Sequence, residues 1–380
     1  MKHRVLRRVG LSLAALLLPA SVWAADVYKI GAVFPMTGSL AWLGEYYRKA
    51  AELQVDMLNE QGGVNGRKLE LVVYDDLSTP EGAARAAQRL ISRDRVVAVI
   101  GTGSVPMSGA VATVVKEHRI PAVLSSGYVV DASKDAFVFN TAHRTDFAVE
   151  RPFRYFAGKG MKRVSLLMPL GPLGDVGIGA AQKAAEKHGI KLVANERFNP
   201  QSPDLTAQLA QLRAAKPDAV FSFVTGEAAA MVARNMAQIK FDVPLLVSHG
   251  NATPGFLKMV SGLNTQIIVP SGPLSVAHSI PKSSPIYDVA MRFVAAHEKR
   301  YGEPPNYFSG LTADAVRLIV EAIRRANSAE GDAMRAALEQ IRDFPGYGGV
   351  YRLSPTDHHG TAADEMVLLR PTPSGWVQIQ

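Results

Sequence analysis

The chain has 380 residues, with 42 Lys and Arg against 34 Asp and Glu and a formal charge of +8. At roughly 100–200 residues per domain this length gives two domains with cores of their own, and 47% hydrophobic with 20% charged residues excludes disorder over most of it. Cys is absent, which excludes disulfide scaffolds, thiolate metal sites, cysteine nucleophiles and a lipid-modified N-terminal Cys.

Residues 1–24 carry Lys2, Arg4, Arg7 and Arg8, then an apolar run from Val9 to Leu18, then Pro19. That run is about half the ~20 residues a membrane span needs. With small Ala24 after Val22-Trp23, the segment reads as a signal peptide cut after residue 24. Its removal takes four basic residues and no acid, leaving +4. No run of Lys and Arg marks a nucleic-acid patch, and no later stretch reaches spanning length. The mature chain is therefore expected to be periplasmic, a monomer that meets the membrane only through a partner. ATP and nicotinamide cofactors are scarce there, which argues against kinases, ligases and dehydrogenases.

From Asp26 onward, β-rich runs alternate with helical ones. Tyr28–Phe34 reads as a strand, and Tyr46–Gln61 as a helix stopped by Gly62-Gly63. Leu69–Tyr74, Val96–Ile100, Ile120–Leu124 and Phe137–Asn140 read as strands, with helices over Pro80–Arg93 and Ser108–His118. The alternation restarts near residue 146. Helices are expected over Arg151–Gly158, Gly177–Lys187, Leu205–Ala215 and Ala228–Lys240, and strands over Val164–Met168, Leu192–Phe198, Ala219–Val224 and Leu245–Ser248. Two such series imply an α/β fold of two doubly wound parallel-sheet lobes. The Pro-rich stretch 264–286 reads as a crossing between them. Helices over Ile286–Tyr301, Leu311–Ala326 and Asp332–Ile341 follow, then a hairpin-like segment of Val350–Leu353 with Met366–Arg370, ending in Trp376–Ile379.

Catalytic motifs are missing as a class. No serine has glycines at both flanking positions of Gly-x-Ser-x-Gly. Ser279-Ile280-Pro281-Lys282 spells Ser-x-x-Lys, but Pro281 forbids the helix that would hold the lysine beside the serine. Gly101-Thr102-Gly103 lacks the third glycine of a dinucleotide fingerprint, with Pro106 in its place. The nine histidines are scattered, and the adjacent pair His358-His359 is expected in an exposed loop rather than on a metal. No enzyme activity, cofactor or metal is expected.

What remains is a set of small polar loops after strands, where parallel α/β sheets bind ligands. They are Phe34–Gly44, Gly101–Ser108, Ser125–Tyr128, Pro169–Asp175, Val224–Glu227 and Ser248–Thr253. Gly103-Ser104 and Ser125-Ser126-Gly127 combine hydroxyls with backbone N–H groups near helix starts, which suits a carboxylate. For each serine, helix capping competes with ligand binding.

The run Asn59-Glu60-Gln61-Gly62-Gly63-Val64-Asn65-Gly66-Arg67, then Asp75-Asp76, Pro80, Ala83, Ala87, Leu90 and Ile91, resembles the leucine/isoleucine/valine-binding proteins. Phe34-Pro35-Met36-Thr37-Gly38 with Gly44, and Ile120-Pro121-Ala122, fit the same family of type I periplasmic receptors of ABC transporters. The resemblance runs from Tyr28 to the C-terminus and is weaker after residue 250. It implies a three-crossing hinge near 141–146, 265–278 and 347–357, with lobe 1 as 25–143 plus 275–346 and lobe 2 as 144–274 plus 347–380. Ligand would be gripped between the lobes and handed to a membrane permease. Ser104, with the Val105 amide, matches the carboxylate site, and Ser126, Gly127 and Tyr128 match the ammonium loop.

Departures from the family pattern set the ligand expectation. The acid that should meet the α-ammonium falls around His249, and Ser248–Thr253 holds none; Glu227 is the nearest substitute. The family's aromatic positions fall on Leu43, Leu173 and Thr225, with Trp42 next door. A buried ammonium without a carboxylate costs several kcal/mol. The ligand is therefore expected to be a small carboxylate without that group, an aromatic or 2-oxo acid, with Trp42, Tyr128 and Leu173 along its apolar part and His249 donating to a polar group. A branched-chain amino-acid receptor proper and a sensor reporting to a membrane receptor are the other readings.

Overall fold

The computed structural model describes residues 27–379; the leader expected over 1–24 lies outside them. From β1 (Tyr28–Phe34) the chain runs through α1 (Ala41–Glu60), β2 (Leu69–Asp75), α2 (Pro80–Ser92), β3 (Ala98–Gly101), α3 (Val105–His118), β4 (Ala122–Leu124) and β5 (Val138–Asn140). The five strands form one parallel sheet in the order β2-β1-β3-β4-β5. Strands such as Ala98–Gly101 and Ala122–Leu124 are buried throughout because helices cover both faces. Gly63 ends the α1 turn at φ +78, where a Cβ would lie 2.0 Å from the Arg67 carbonyl oxygen; only glycine fits.

The second series comprises α4 (Thr145–Gly158), β6 (Arg163–Pro169), α5 (Pro172–His188), β7 (Lys191–Phe198), α6 (Thr206–Ala214), β8 (Ala219–Ser222), α7 (Gly226–Gln238), β9 (Leu245–Val247), α8 (Pro254–Val260) and β10 (Ile267–Ser271). The chain then returns to the first sheet with α9 (Tyr287–Tyr301), α10 (Tyr307–Ala326), α11 (Gly331–Leu338) and the short pair β11 (Phe344–Pro345) and β12 (Val350–Tyr351). Val316, Ile319 and Ile323 of α10 share a core with Ile30, Ile100 and Val123. Finally β13 (Val367–Thr372) and β14 (Gly375–Ile379) complete a seven-stranded sheet, β14-β13-β10-β9-β8-β6-β7. Its first five strands in chain order, β6 to β10, pair in parallel; β13 joins β10 antiparallel.

Several local expectations shift. The final hairpin is β13–β14, closed at Thr372–Gly375, and Val350–Tyr351 pairs instead with Phe344–Pro345. Tyr351 and Leu353 lie in the core under the five-stranded sheet. The stretch 347–357 therefore stays with that sheet, and the passage to the other one follows His359. The helix α4 begins at Thr145 and carries Pro152 inside it, and α5 begins at Pro172. The helix α10 begins at Tyr307, four residues before the expected Leu311, capped by Asn306, whose side chain accepts from the Ser309 N–H at 3.1 Å.

His358 and His359 are buried, not exposed as expected. The His358 ring stacks on Phe139 at 4.0 Å and its Nδ1 bonds the Val138 carbonyl at 2.8 Å, while His359 Nε2 accepts from the Val130 N–H at 3.2 Å. These rings seal the chain's return against β5.

Two of the crossings, and the segment 347–351 that leads toward the third, meet at the first half of α10. Thr141 donates its hydroxyl to the Leu311 carbonyl at 2.9 Å. The His143 ring stacks on Tyr307 with centroids 5.9 Å apart, and Gly272 approaches the same two rings. Asp314, fully buried, accepts from the N–H groups of Tyr347 (2.7 Å) and Gly348 (2.8 Å) and from the Tyr351 hydroxyl (3.1 Å), with Arg317 at 3.2 Å. Burial pushes its carboxyl above the usual range, opposed by Arg317 and the backbone donors. Replacing Asp314→Ala strands Arg317 and these donors, so urea unfolding should report a loss of about 3–5 kcal/mol; a loss under about 1 kcal/mol would contradict this role.

Candidate functional site

The loops at the C-terminal ends of the strands present the expected residues in two groups. On the five-stranded side, Ser104 is the N-cap of the 14-residue α3, in extended conformation, and its hydroxyl makes no capping bond. That hydroxyl is half-buried and available, at the positive end of the helix. Val105 is exposed, and a Cβ on Gly127 would lie 3.8 Å from its side chain, so the two loops adjoin.

Ser126 is placed beside them, but its hydroxyl is engaged. It hydrogen-bonds Ser108 Oγ at 2.7 Å, which in turn meets Thr102 Oγ1 at 2.7 Å, and it accepts from the Tyr128 N–H at 3.2 Å. The Tyr128 hydroxyl donates to Asp135 at 2.9 Å, and burial with that bond pushes its pKa up to about 12. Its ring lies against Gly109 of α3. Ser126 and Tyr128 thus brace the loop through bonds to Ser108 and Asp135. These partners come from residues distant in the local pattern, which is why spacing did not reveal them.

On the seven-stranded side, Leu173 is exposed in the first turn of α5, and Thr225 is the exposed N-cap of α7 with no capping bond. Asn251 ties this loop to the next one. Its Oδ1 accepts from the Gly226 N–H at 2.8 Å and its Nδ2 donates to the Val224 and Ser248 carbonyls at 2.8 and 3.0 Å. His249 stands in that second loop, half-buried, with Nδ1 lacking a partner. Burial lowers its pKa to about 4, so the ring is neutral at pH 7 with one donor and one acceptor nitrogen.

A row of rings joins the two groups. Trp42, exposed on α1, meets Phe308 edge-on at 5.8 Å; Phe308 meets Tyr307 at 5.3 Å; Tyr307 meets His249 at 5.9 Å; His249 meets Phe223 at 6.1 Å. Sequence reasoning missed Tyr307 and Phe308. The signal was Pro305-Asn306, a cap ahead of two aromatics that were left outside the helix. Leu43, where the resemblance placed an aromatic position, is buried in the core.

The acids in these loops are all occupied or hidden. Asp75 accepts from Thr37, Met36 and Leu77, Asp135 from Tyr128, and Asp131 pairs with Lys134. Asp175 pairs with Arg197 at 2.8 Å, and Glu227 with Arg234. Asp76 is fully buried, with Oδ1 taking the Ser78 N–H at 2.7 Å and Oδ2 unpartnered.

A family model described as periplasmic binding protein matches residues 27–373. A Leu/Ile/Val-binding protein of Rhizobium johnstonii is 25% identical over 90% of both chains. Among solved structures, a type 1 periplasmic binding protein from Bordetella pertussis is 27% identical with TM-score 0.79, covering 93% of this chain and 100% of its own. A branched-chain amino acid transporter substrate-binding protein from Streptococcus pneumoniae, in complex with isoleucine, shares the fold at 21% identity and TM-score 0.76, covering 93% of this chain and 99% of its own.

Burial raises the Asp76 pKa to about 6, so the folded chain keeps a proton that the unfolded chain releases near pH 4. The stability this gives is complete below about pH 4 and is lost as pH rises through about 6. Asp76→Asn should therefore be more stable than the parent at pH 8, by up to about 3 kcal/mol, and equal to it at about pH 4. Urea midpoints across pH check this; a variant weaker at pH 8 would refute it.

Proposed function

Since the chain belongs to the periplasmic binding protein family, a family of solute receptors rather than enzymes, we propose that it captures a small carboxylate between its lobes and delivers it to the permease of an ABC transporter. The observation that carries this reading is the uncapped Ser104 hydroxyl at the start of α3, facing loops whose acids are all engaged. A helix N-terminus with a spare hydroxyl favours an anion, and the acids opposite it, Asp175 and Glu227, already pair with Arg197 and Arg234. The ligand would be an aromatic or 2-oxo acid, its carboxylate on Ser104 and the Val105 amide. Its apolar part would rest against Trp42 and Leu173, with Thr225 and neutral His249 meeting a polar substituent. Ser126, Gly127 and Tyr128 contribute the shape of the loop.

Free receptor samples open and closed forms, and contacts from both lobes favour the closed one. The names of the Rhizobium and Streptococcus relatives favour a second reading, a branched-chain amino acid as ligand. In that case Glu227, exposed and bonded to Arg234 through one oxygen, would be the acid to meet the ammonium. A receptor that reads the closed form for signalling would use the same site.

Thermal-shift screening separates these. Benzoates and 2-oxo acids should raise Tm, by a stabilisation of about 2.7 kcal/mol at a hundredfold excess over Kd. Ser104→Ala should weaken that binding about 10- to 100-fold. Stabilisation by leucine or valine alone would replace the first reading with the second.

A further inference from the structure

Away from the cleft, a cavity of about 220 Å³ lies on the outer side of the five-stranded lobe, between α1, α9, α10 and residues 344–347. Three guanidinium groups line it, Arg292, Arg317 and Arg324, against one carboxylate, Glu321. Glu321 is already shared by Arg324 and by Arg325. Arg292 is exposed on α9, has no acidic partner among the described residues, and casts its charge on Tyr347. Arg317 lies over Phe344 and Tyr347, 4.8 Å from each ring, and engages Asp314 through a single terminal nitrogen. Of the five N–H donors a guanidinium carries, most are left unbonded here.

We infer that this cavity is a second, anion-binding site, suited to a small tetrahedral oxyanion, free or at the head of a small ester. Ring contacts fix the plane of Arg317, so its remaining donors are oriented before any ligand arrives, and Arg292 supplies a second fork across the opening. The volume accepts a phosphate or sulfate group with a few further atoms, and the apolar floor of Phe344 favours a compact body behind the charge. Because Arg317 is also the ion-pair partner of Asp314, an occupant draws on the charge that holds residues 347 and 348.

The test is calorimetric titration of the full mature chain with inorganic phosphate, chloride held to constant ionic strength. Saturable binding is expected in the parent and in Ser104→Ala, whose cleft is impaired, and a loss of at least about fivefold in Arg292→Gln. Arg292 is exposed on α9 and makes no ion pair among the described residues, so this variant should keep the fold; its circular dichroism and Tm serve as the control. Three results would overturn the inference: no saturable heat, binding unchanged in Arg292→Gln, or binding lost in Ser104→Ala, which would place phosphate in the cleft.

Discussion

Everything that the cleft can do depends on how the first half of α10 pins two of the crossings, at Thr141–His143 and Gly272, together with residues 347–351 that lead toward the third. One buried carboxylate, Asp314, collects two N–H groups and a hydroxyl from residues 347, 348 and 351. One turn earlier the Leu311 carbonyl takes Thr141, and before that Tyr307 packs on His143 and close to Gly272. An acid taken so far from water survives only because each lone pair finds a donor. The two sheets are thereby placed with their ligand-bearing edges facing, while the crossing segments between them remain short.

From that placement the chemistry follows. The aromatic row from Trp42 to Phe223 lies along the seam, with Tyr307 serving both hinge and cleft. Above it stand two helix starts, those of α3 and α7, whose hydroxyl caps, Ser104 and Thr225, leave their own helices uncapped. A protein that needed these hydroxyls for stability would have turned them inward, as Thr79 and Thr253 do at α2 and α8. The contrast within one chain is what supports the proposal that Ser104 and Thr225 serve a ligand.

Much of this was legible in the residues. Near-continuous apolar strands between amphipathic helices gave the two sheets, and the Gly-Gly-Val-Asn-Gly-Arg run with Asp75-Asp76 pointed to the family. The position of Ser104 at the start of α3 was legible because it is local: a serine between a strand and a helix. Ser126 and Tyr128 were not, because Ser108 and Asp135 reach them only through the fold. The burial of His358 and His359 was hidden for the same reason, their partners lying some 220 residues earlier in the chain. Tyr307 and Phe308 were missed because the helix was begun too late, at the apolar repeat rather than at the Asn306 cap.

The most direct measurement is native mass spectrometry of the receptor taken from its own compartment without denaturation. The account predicts a bound acid that carries a carboxylate and no amine, and that leaves the protein chemically unaltered. Recovery of leucine, isoleucine or valine as the sole adduct would contradict it.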